Sequence, residues 1–184
     1  MITDLLLVFN RFTHGVLMKW SIFILCMTAL MWVAAPVLAD PSFSAPFIDT
    51  EGNKIGAATF QDMTHGTLIT IDVDLPEGPH ALHIHENGDC VPPDFKTAGG
   101  HFNPKARHHG FASHAGFHAG DLPNLYVEST GHIKAEIFTT QVPYISQKKL
   151  GQGLSIIIHE KADDYSTDPT GNAGARIACA VIKP

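Results

Sequence analysis

Two stretches of this chain alternate apolar and polar residues one for one, and that period restricts the fold more than any other feature. In "TLITIDVDL" (67–75), Ile69, Ile71, Val73 and Leu75 alternate with Thr70, Asp72 and Asp74. In "HIKAEIFTT" (132–140), Ile133, Ala135 and Ile137 alternate with His132, Lys134 and Glu136. Side chains on an extended strand point to opposite faces at period two, so each stretch reads as a strand with one face on a core and one in water. Further strand candidates lie at 54–62, 80–86, 124–129, 154–160 and 175–182, separated by turn-forming phrases such as "DLPEGP", "DLPN" and "STG". No segment has helical spacing with caps and no internal repeat is present, so the fold class is all-β, a sandwich or barrel. Two long stretches, about 86–123 and 160–174, do not read as strands; loops of that length in a compact domain tend to carry function.

The first 39 residues differ in kind from the rest. Lys19 precedes the apolar run "WSIFILCMTALMWVAA", and "PVLAD" follows it. Val37 and Ala39 occupy the −3 and −1 positions of a signal-peptidase site before Asp40, so residues 1–39 read as a cleaved signal peptide and 40–184 as the mature domain. A retained anchor is disfavoured because the run falls short of the roughly 20 residues a membrane span needs. Met18-Lys19 would itself open a compact signal peptide, so both Met1 and Met18 serve as candidate starts. Leu25 before Cys26 makes a poor lipid-attachment site. An exported location follows, with no stable membrane insertion after cleavage.

The whole chain carries 12 Lys and Arg against 18 Asp and Glu. Without Arg11, Lys19 and Asp4 of the leader, ten and seventeen remain, a formal charge of −7 on the mature part. The longest basic run is Lys148-Lys149, which argues against nucleic acid or an anionic membrane as partner. The mature part keeps two of the chain's three cysteines, Cys90 and Cys179. An even pair in an oxidising compartment reads as one disulfide. It would close a loop of about 90 residues, worth ~4–5 kcal/mol in the chain-entropy account.

The tract "GGHFNPKARHHGFASHAGFHAGD" (99–121) holds His101, His108, His109, His114, His118 and Asp121 among small and turn-forming residues. It has too little apolar surface to order itself, so a metal is its natural organiser; a solvated His-rich segment is the alternative. Three imidazoles and a carboxylate, from His101, His109, His118 and Asp121, make a closed tetrahedral zinc set. His108 competes with its neighbour His109 on composition alone. Upstream, His83 and His85 in "HALHIHENGDC" sit two apart on a strand, on one face and about 6–7 Å apart, where both can reach one metal. His159, closing the apolar strand "LSIIIHE", is by itself a core or capping histidine, and joins them as a ligand only if the strands are neighbours.

The phrases "HALHIHENGDC", "GGHFNP", "HAGDLPN", "HEKADD" and "GNAGARIACAVI" occur in that order over roughly residues 50–184. Together they resemble the copper, zinc superoxide dismutases, in particular those of bacterial periplasms. The resemblance implies an eight-stranded Greek-key β-sandwich or barrel in which two long loops form the metal site. It implies copper bound by His83, His85, His101 and His159, and zinc bound by His101, His109, His118 and Asp121, with His101 shared between them. It implies one copper and one zinc per chain, superoxide as substrate, Arg176 as the active-site arginine that attracts it, and His101 as a catalytic group. Asp163 matches an aspartate standing behind the ligands, which accepts hydrogen bonds from one copper and one zinc ligand. His108 and His114 match no ligand position. The segment from His159 to Arg176 is shorter than in the eukaryotic enzymes and contains only Lys161 as a further cation, so steering lysines are expected elsewhere. The bacterial branch includes monomers and homodimers.

The activity implied is dismutation of superoxide, as antioxidant defence outside the cytoplasm. A metal-storing relative without turnover is the alternative, but such relatives typically lack a copper ligand or the arginine, and here His83, His85, His101, His159 and Arg176 are all present. A purely structural β-sandwich leaves six matched histidines unexplained.

Overall fold

A computed structural model describes residues 42–142, 151 and 153–183. The expected signal peptide lies outside the described residues. Nine strands are found among them: β1 (Ser42–Asp49), β2 (Lys54–Met63), β3 (Gly66–Asp74), β4 (Gly78–His80), β5 (Leu82–His85), β6 (Leu125–Val127), β7 (His132–Thr139), β8 (Leu154–His159) and β9 (Arg176–Ile182). The only described helical turn is a 3-10 turn at Lys96–Ala98. The strands form an antiparallel sheet in the order β5-β8-β9-β1-β2-β3-β7, and β4 pairs with β6. The all-β expectation holds.

The two alternating stretches are β3 and β7, paired with Thr70 opposite Glu136 and Asp72 opposite Lys134. Ile69, Ile71 and Val73 are buried, and Ile133, Ala135 and Ile137 pack against the same core. On the outer face Lys134 Nζ lies 3.3 Å from Asp72 Oδ2, an exposed pair that fixes register more than it adds stability. The core continues through Ala58 and Phe60 of β2, Leu82 and Ile84 of β5, Leu154, Ile156 and Ile158 of β8, and Ala178, Ala180 and Ile182 of β9.

Two differences from the sequence reading have physical causes. Strand β1 went unread because Pro46 interrupts "SFSAPFID", yet Ala45 and Phe47 point into the core. The proline is tolerated because it lies where β1 is flanked by β2 alone; pairing with β9 is confined to Ile48 and Asp49. The stretch 80–86 contains the end of β4 and the whole of β5, separated at Ala81. There the Ala81 N–H donates to Lys161 O at 2.8 Å, and Ala81 O accepts from the His159 N–H at 2.9 Å. The chain thus passes from β6 to β8 as partner and enters the face where the histidines stand.

Strand β8 is buried at every position, Leu154 to His159. Its even positions Leu154, Ile156 and Ile158 meet the main core. On the opposite face Ile157 packs with Phe95, Ala98 and Cys179 in a second small core beneath the segment that follows β5. A Cys90–Cys179 disulfide fastens that segment to β9, with a Cα–Cα separation of 5.9 Å. Reducing the bridge should lower the free energy of unfolding by about 2–5 kcal/mol. Denaturant titration with and without reductant measures this, and two free thiols in the native protein would refute the bridge.

Candidate metal centre

The same period that builds the core exposes the metal-binding chemistry. Leu82 and Ile84 point inward, so His83 and His85 point to the outer face of β5. In register, His83 sits opposite Ile157, and period two carries His159 to the same face as Ile157, away from the core-facing Ile156 and Ile158. The histidine tract then returns along β5. Phe102 N–H donates to Ile84 O at 2.8 Å, Ile84 N–H to Gly120 O at 2.8 Å and Gly120 N–H to Phe102 O at 2.9 Å. His85 bridges to His101 and His83 to Asp121. Backbone hydrogen bonds therefore fasten the two ends of this apolar-poor tract, at Phe102 and Gly120, to β5, an organiser beside the metal that the sequence suggests. A Cβ at Gly120 would overlap Ile84 O, so this close approach requires glycine.

The ring of His101 lies 4.0 Å from that of His83 and 5.0 Å from that of His85, centroid to centroid. The ring of His159 lies 5.0 Å from that of His83. One ligand atom from each of His83, His85, His101 and His159 falls within 4.8 Å of all the others. Each ring uses one nitrogen to fix its orientation. His83 Nε2–H donates to Asp163 Oδ2 at 2.8 Å, His85 Nδ1–H to Gly99 O at 3.0 Å, and His159 Nδ1–H reaches Gly174 O at 3.4 Å. The opposite nitrogens, His83 Nδ1, His85 Nε2, His159 Nε2 and also His101 Nε2, are buried without a hydrogen-bond partner. A buried unsatisfied polar atom costs about 1–3 kcal/mol, so four in one cluster suit a ligand that takes nitrogen lone pairs.

The second group gathers on Asp121. Its Oδ1 lies 3.0 Å from His101 Nδ1, 3.1 Å from His109 Nδ1 and 3.3 Å from His118 Nδ1, and the last is 3.3 Å from His101 Nδ1. Ligand atoms about 2.0 Å from a tetrahedral centre are about 3.3 Å apart, so the spacing fits zinc. Proximity alone gathers His83, rather than His118, with His101, His109 and Asp121. Orientation separates the two: His83 Nε2 is committed to Asp163, and its free Nδ1 belongs with the first cluster. The other oxygen, Asp121 Oδ2, accepts from the backbone N–H groups of Gly110 at 2.9 Å and His118 at 3.0 Å.

Asp163 stands behind both groups. Its Oδ2 accepts from His83 and its Oδ1 from His109 Nε2–H at 2.9 Å. The sequence reading missed what holds Asp163. Asn124 Nδ2–H donates to Asp163 O at 3.0 Å, Asp163 N–H donates to Asn124 Oδ1 at 2.8 Å, and Asn124 N–H donates to Tyr165 Oη at 2.7 Å. Asn124 had been read only as part of the turn "DLPN", and nothing in spacing links it to a residue 39 positions away. Gly171, at φ +64°, is packed so closely that a Cβ would overlap Asp163 Oδ1. His108 and His114 are exposed, and neither joins a metal-ligating group among the described residues.

The electrostatics differ between the groups. Burial pushes His159 down to about 3 and His101 to about 4, the latter despite a hydrogen bond to Asp121, and holds His85 well below the ordinary imidazole value. These rings are neutral with lone pairs available. Burial also opposes charge on His109, but hydrogen bonds to Asp121 and Asp163 outweigh it and raise the group to about 9. Burial would raise Asp121 and Asp163 likewise, but the histidine hydrogen bonds hold both far below the usual carboxylate range. Positive charge is favoured between these two carboxylates, as a dication site requires.

Arg176 lies opposite His159 in the β8–β9 register. Its Nη1–H donates to Phe95 O and its Nη2–H to Gly99 O, both at 2.7 Å, so Gly99 O is shared with His85. Lys96 is exposed and lies 2.7 Å from Asp94.

Fold and site together match the copper/zinc superoxide dismutase family, whose model covers residues 54–182, and the chain belongs to that family. It is 39% identical over 164 residues to a Cu-Zn superoxide dismutase of Aquifex aeolicus, spanning 84% of this chain and 94% of that protein. It is 41% identical over 143 residues to the Cu-Zn superoxide dismutase of Caulobacter vibrioides, spanning 72% and 80%. Among solved structures it is similar to a superoxide dismutase-like protein from Bacillus subtilis, at 36% identity and TM-score 0.70 over 76% of this chain and 97% of that one. The Cu/Zn superoxide dismutase of Brucella abortus superposes at TM-score 0.68 and 27% identity, over 78% of this chain and all of that one.

Replacing Gly171 by Ala should displace Asp163 and release His83 and His109 from their shared acceptor. We expect a stability loss of about 1–3 kcal/mol and weaker zinc retention. Thermal unfolding and metal analysis check both; an unchanged zinc content and midpoint would contradict the packing argument.

Proposed function

We propose that this chain is an exported superoxide dismutase, with residues 1–39 as a cleaved leader and 40–184 as the catalytic domain, acting as antioxidant defence in the periplasm. Copper and zinc are the cofactors of its family. We assign copper to His83, His85, His101 and His159, and zinc to His101, His109, His118 and Asp121. The observation that carries this reading is the set of buried, unpartnered ring nitrogens, His83 Nδ1, His85 Nε2, His101 Nε2 and His159 Nε2, converging on one point. No described helix is long and apolar enough to cross a membrane.

The reaction is 2 O₂•⁻ + 2 H⁺ → O₂ + H₂O₂. Copper, when bound, supplies the one-electron exchange, and zinc, d¹⁰ and redox-inert, supplies charge and geometry. The remaining work falls to the chain. Arg176 has five N–H donors in a rigid fork; two carbonyls fix its direction, and the rest attract and orient the anion. His101 turns Nδ1 to Asp121 and Nε2 to the other histidines, so one imidazole serves both groups. Its Nε2 is the atom that takes up and releases a proton for the peroxide. Asp163 keeps His83 and His109 in the tautomers that leave Nδ1 of each for metal. A storage protein would need none of the Arg176 anchoring.

The first test compares superoxide consumption by metal-loaded and metal-stripped protein; loss of superoxide only in the loaded sample is expected. His159→Ala should abolish copper binding and turnover while zinc remains at one per chain by metal analysis, and unchanged turnover would sink the copper assignment. Arg176→Ala should keep both metals and lower the rate about 10-fold or more, with a flatter dependence on ionic strength. An unaltered salt dependence would remove the arginine from steering.

A further inference from the structure

Asp163 is not the only carboxylate of the β8–β9 segment that reaches the histidine tract. Asp168 accepts from the backbone N–H of His109 through Oδ1 at 2.9 Å and from Nδ1–H of His108 through Oδ2 at 3.0 Å. Its Oδ1 also lies 4.0 Å from His118 Nε2. One side chain, itself half exposed, therefore faces the outer side of two histidines that are almost wholly buried, with side-chain exposures of 0% for His109 and 6% for His118. Neither Asp168 nor His108 has a part in the site as assigned above.

The geometry gives Asp168 a definite task. His118 Nδ1 faces Asp121 and His101, so for that nitrogen to offer a lone pair the ring proton must reside on Nε2. At 4.0 Å the carboxylate makes no hydrogen bond to Nε2, but its negative charge favours a proton on that nitrogen. The hydrogen bond to His109 N–H fixes the backbone from which the neighbouring ring projects. His108, too exposed to join the buried group, holds the free oxygen of Asp168 and keeps the carboxylate turned inward.

We propose that Asp168 is a positioning residue for zinc, orienting His118 and the His109 peptide from outside, with His108 as its counterpart, so that it slows the release of zinc. This rests on the zinc assignment above. Asp163 and Asp168 then divide the outer faces of the group: Asp163 accepts from the His109 ring, and Asp168 accepts from the His109 peptide and places its charge 4.0 Å from the His118 ring.

The test measures zinc release from the full metal-loaded protein to a chromophoric chelator, and the visible ligand-field spectrum after cobalt replaces zinc. Asp168→Ala should release zinc about 10-fold faster and shift the cobalt bands, with the far-ultraviolet circular dichroism unchanged. Asp168→Asn retains an oxygen for the His109 N–H and should fall between wild type and Asp168→Ala. His108→Ala should accelerate release by a few-fold. If Asp168→Ala fails to fold, the Asn and His108 variants carry the same comparison. Wild-type release rates and cobalt spectra in the variants that fold would overturn the role of Asp168 and leave the zinc site standing. A wild-type protein that takes up no zinc would instead overturn the metal-centre reading itself.

Discussion

The site depends on one carboxylate receiving two ring N–H groups. Asp163 Oδ2 takes His83 from strand β5, and Oδ1 takes His109 from the long tract, at 2.8 and 2.9 Å. Each hydrogen bond decides which nitrogen of its ring stays free, and therefore which direction each lone pair points. The carboxylate is desolvated, so it is ionised only because those donors and the Tyr165 N–H at 2.7 Å compensate for lost water. Asn124 grips the Asp163 backbone on both sides, and a glycine at 171 leaves it room. A group of histidines becomes a directed set of donors through this arrangement rather than through composition.

Around that carboxylate the fold supplies two mountings of different kinds. The tract from His101 to Asp121 has its two ends hydrogen-bonded to β5 by backbone, at Phe102 and Gly120, and needs few apolar side chains there. The segment from Glu86 to Gly99 is held by Phe95 and Ala98 in a small core against Ile157, and by the disulfide to Cys179. Strand β8 is therefore buried on both faces, which is why "III" (156–158) reads as a continuous run instead of an alternating one.

Much of this was legible in the sequence because the signals were periodic or local. Alternation located β3 and β7 and put His83 and His85 on one face; the motif phrases placed each ligand candidate and Arg176. What stayed hidden depended on contacts distant along the chain. Strand β1 was masked by Pro46, whose cost depends on whether a strand lies alongside. The break at Ala81 is set by hydrogen bonds to Lys161 and His159, nearly eighty residues on. Asn124 and Asp168 are ordinary turn residues until the fold sets them against Asp163 and His109. Composition alone leaves His108 and His109 equal and the resemblance points to His109; in the structure the two, adjacent in sequence, differ sharply, His109 buried at 0% and His108 exposed at 66% on the side chain.

The carbonyl of Gly99 accepts from His85 on one side and Arg176 on the other. Phe95, wholly buried at φ +50°, presents the second carbonyl to the same guanidinium. The histidine of β5 and the arginine of β9 thus share one acceptor, and displacement of that backbone disturbs both hydrogen bonds together. Substitutions between Asn87 and Asp94 that spare Cys90 can reshape the surface beside this pair while both hydrogen bonds to Gly99 O remain.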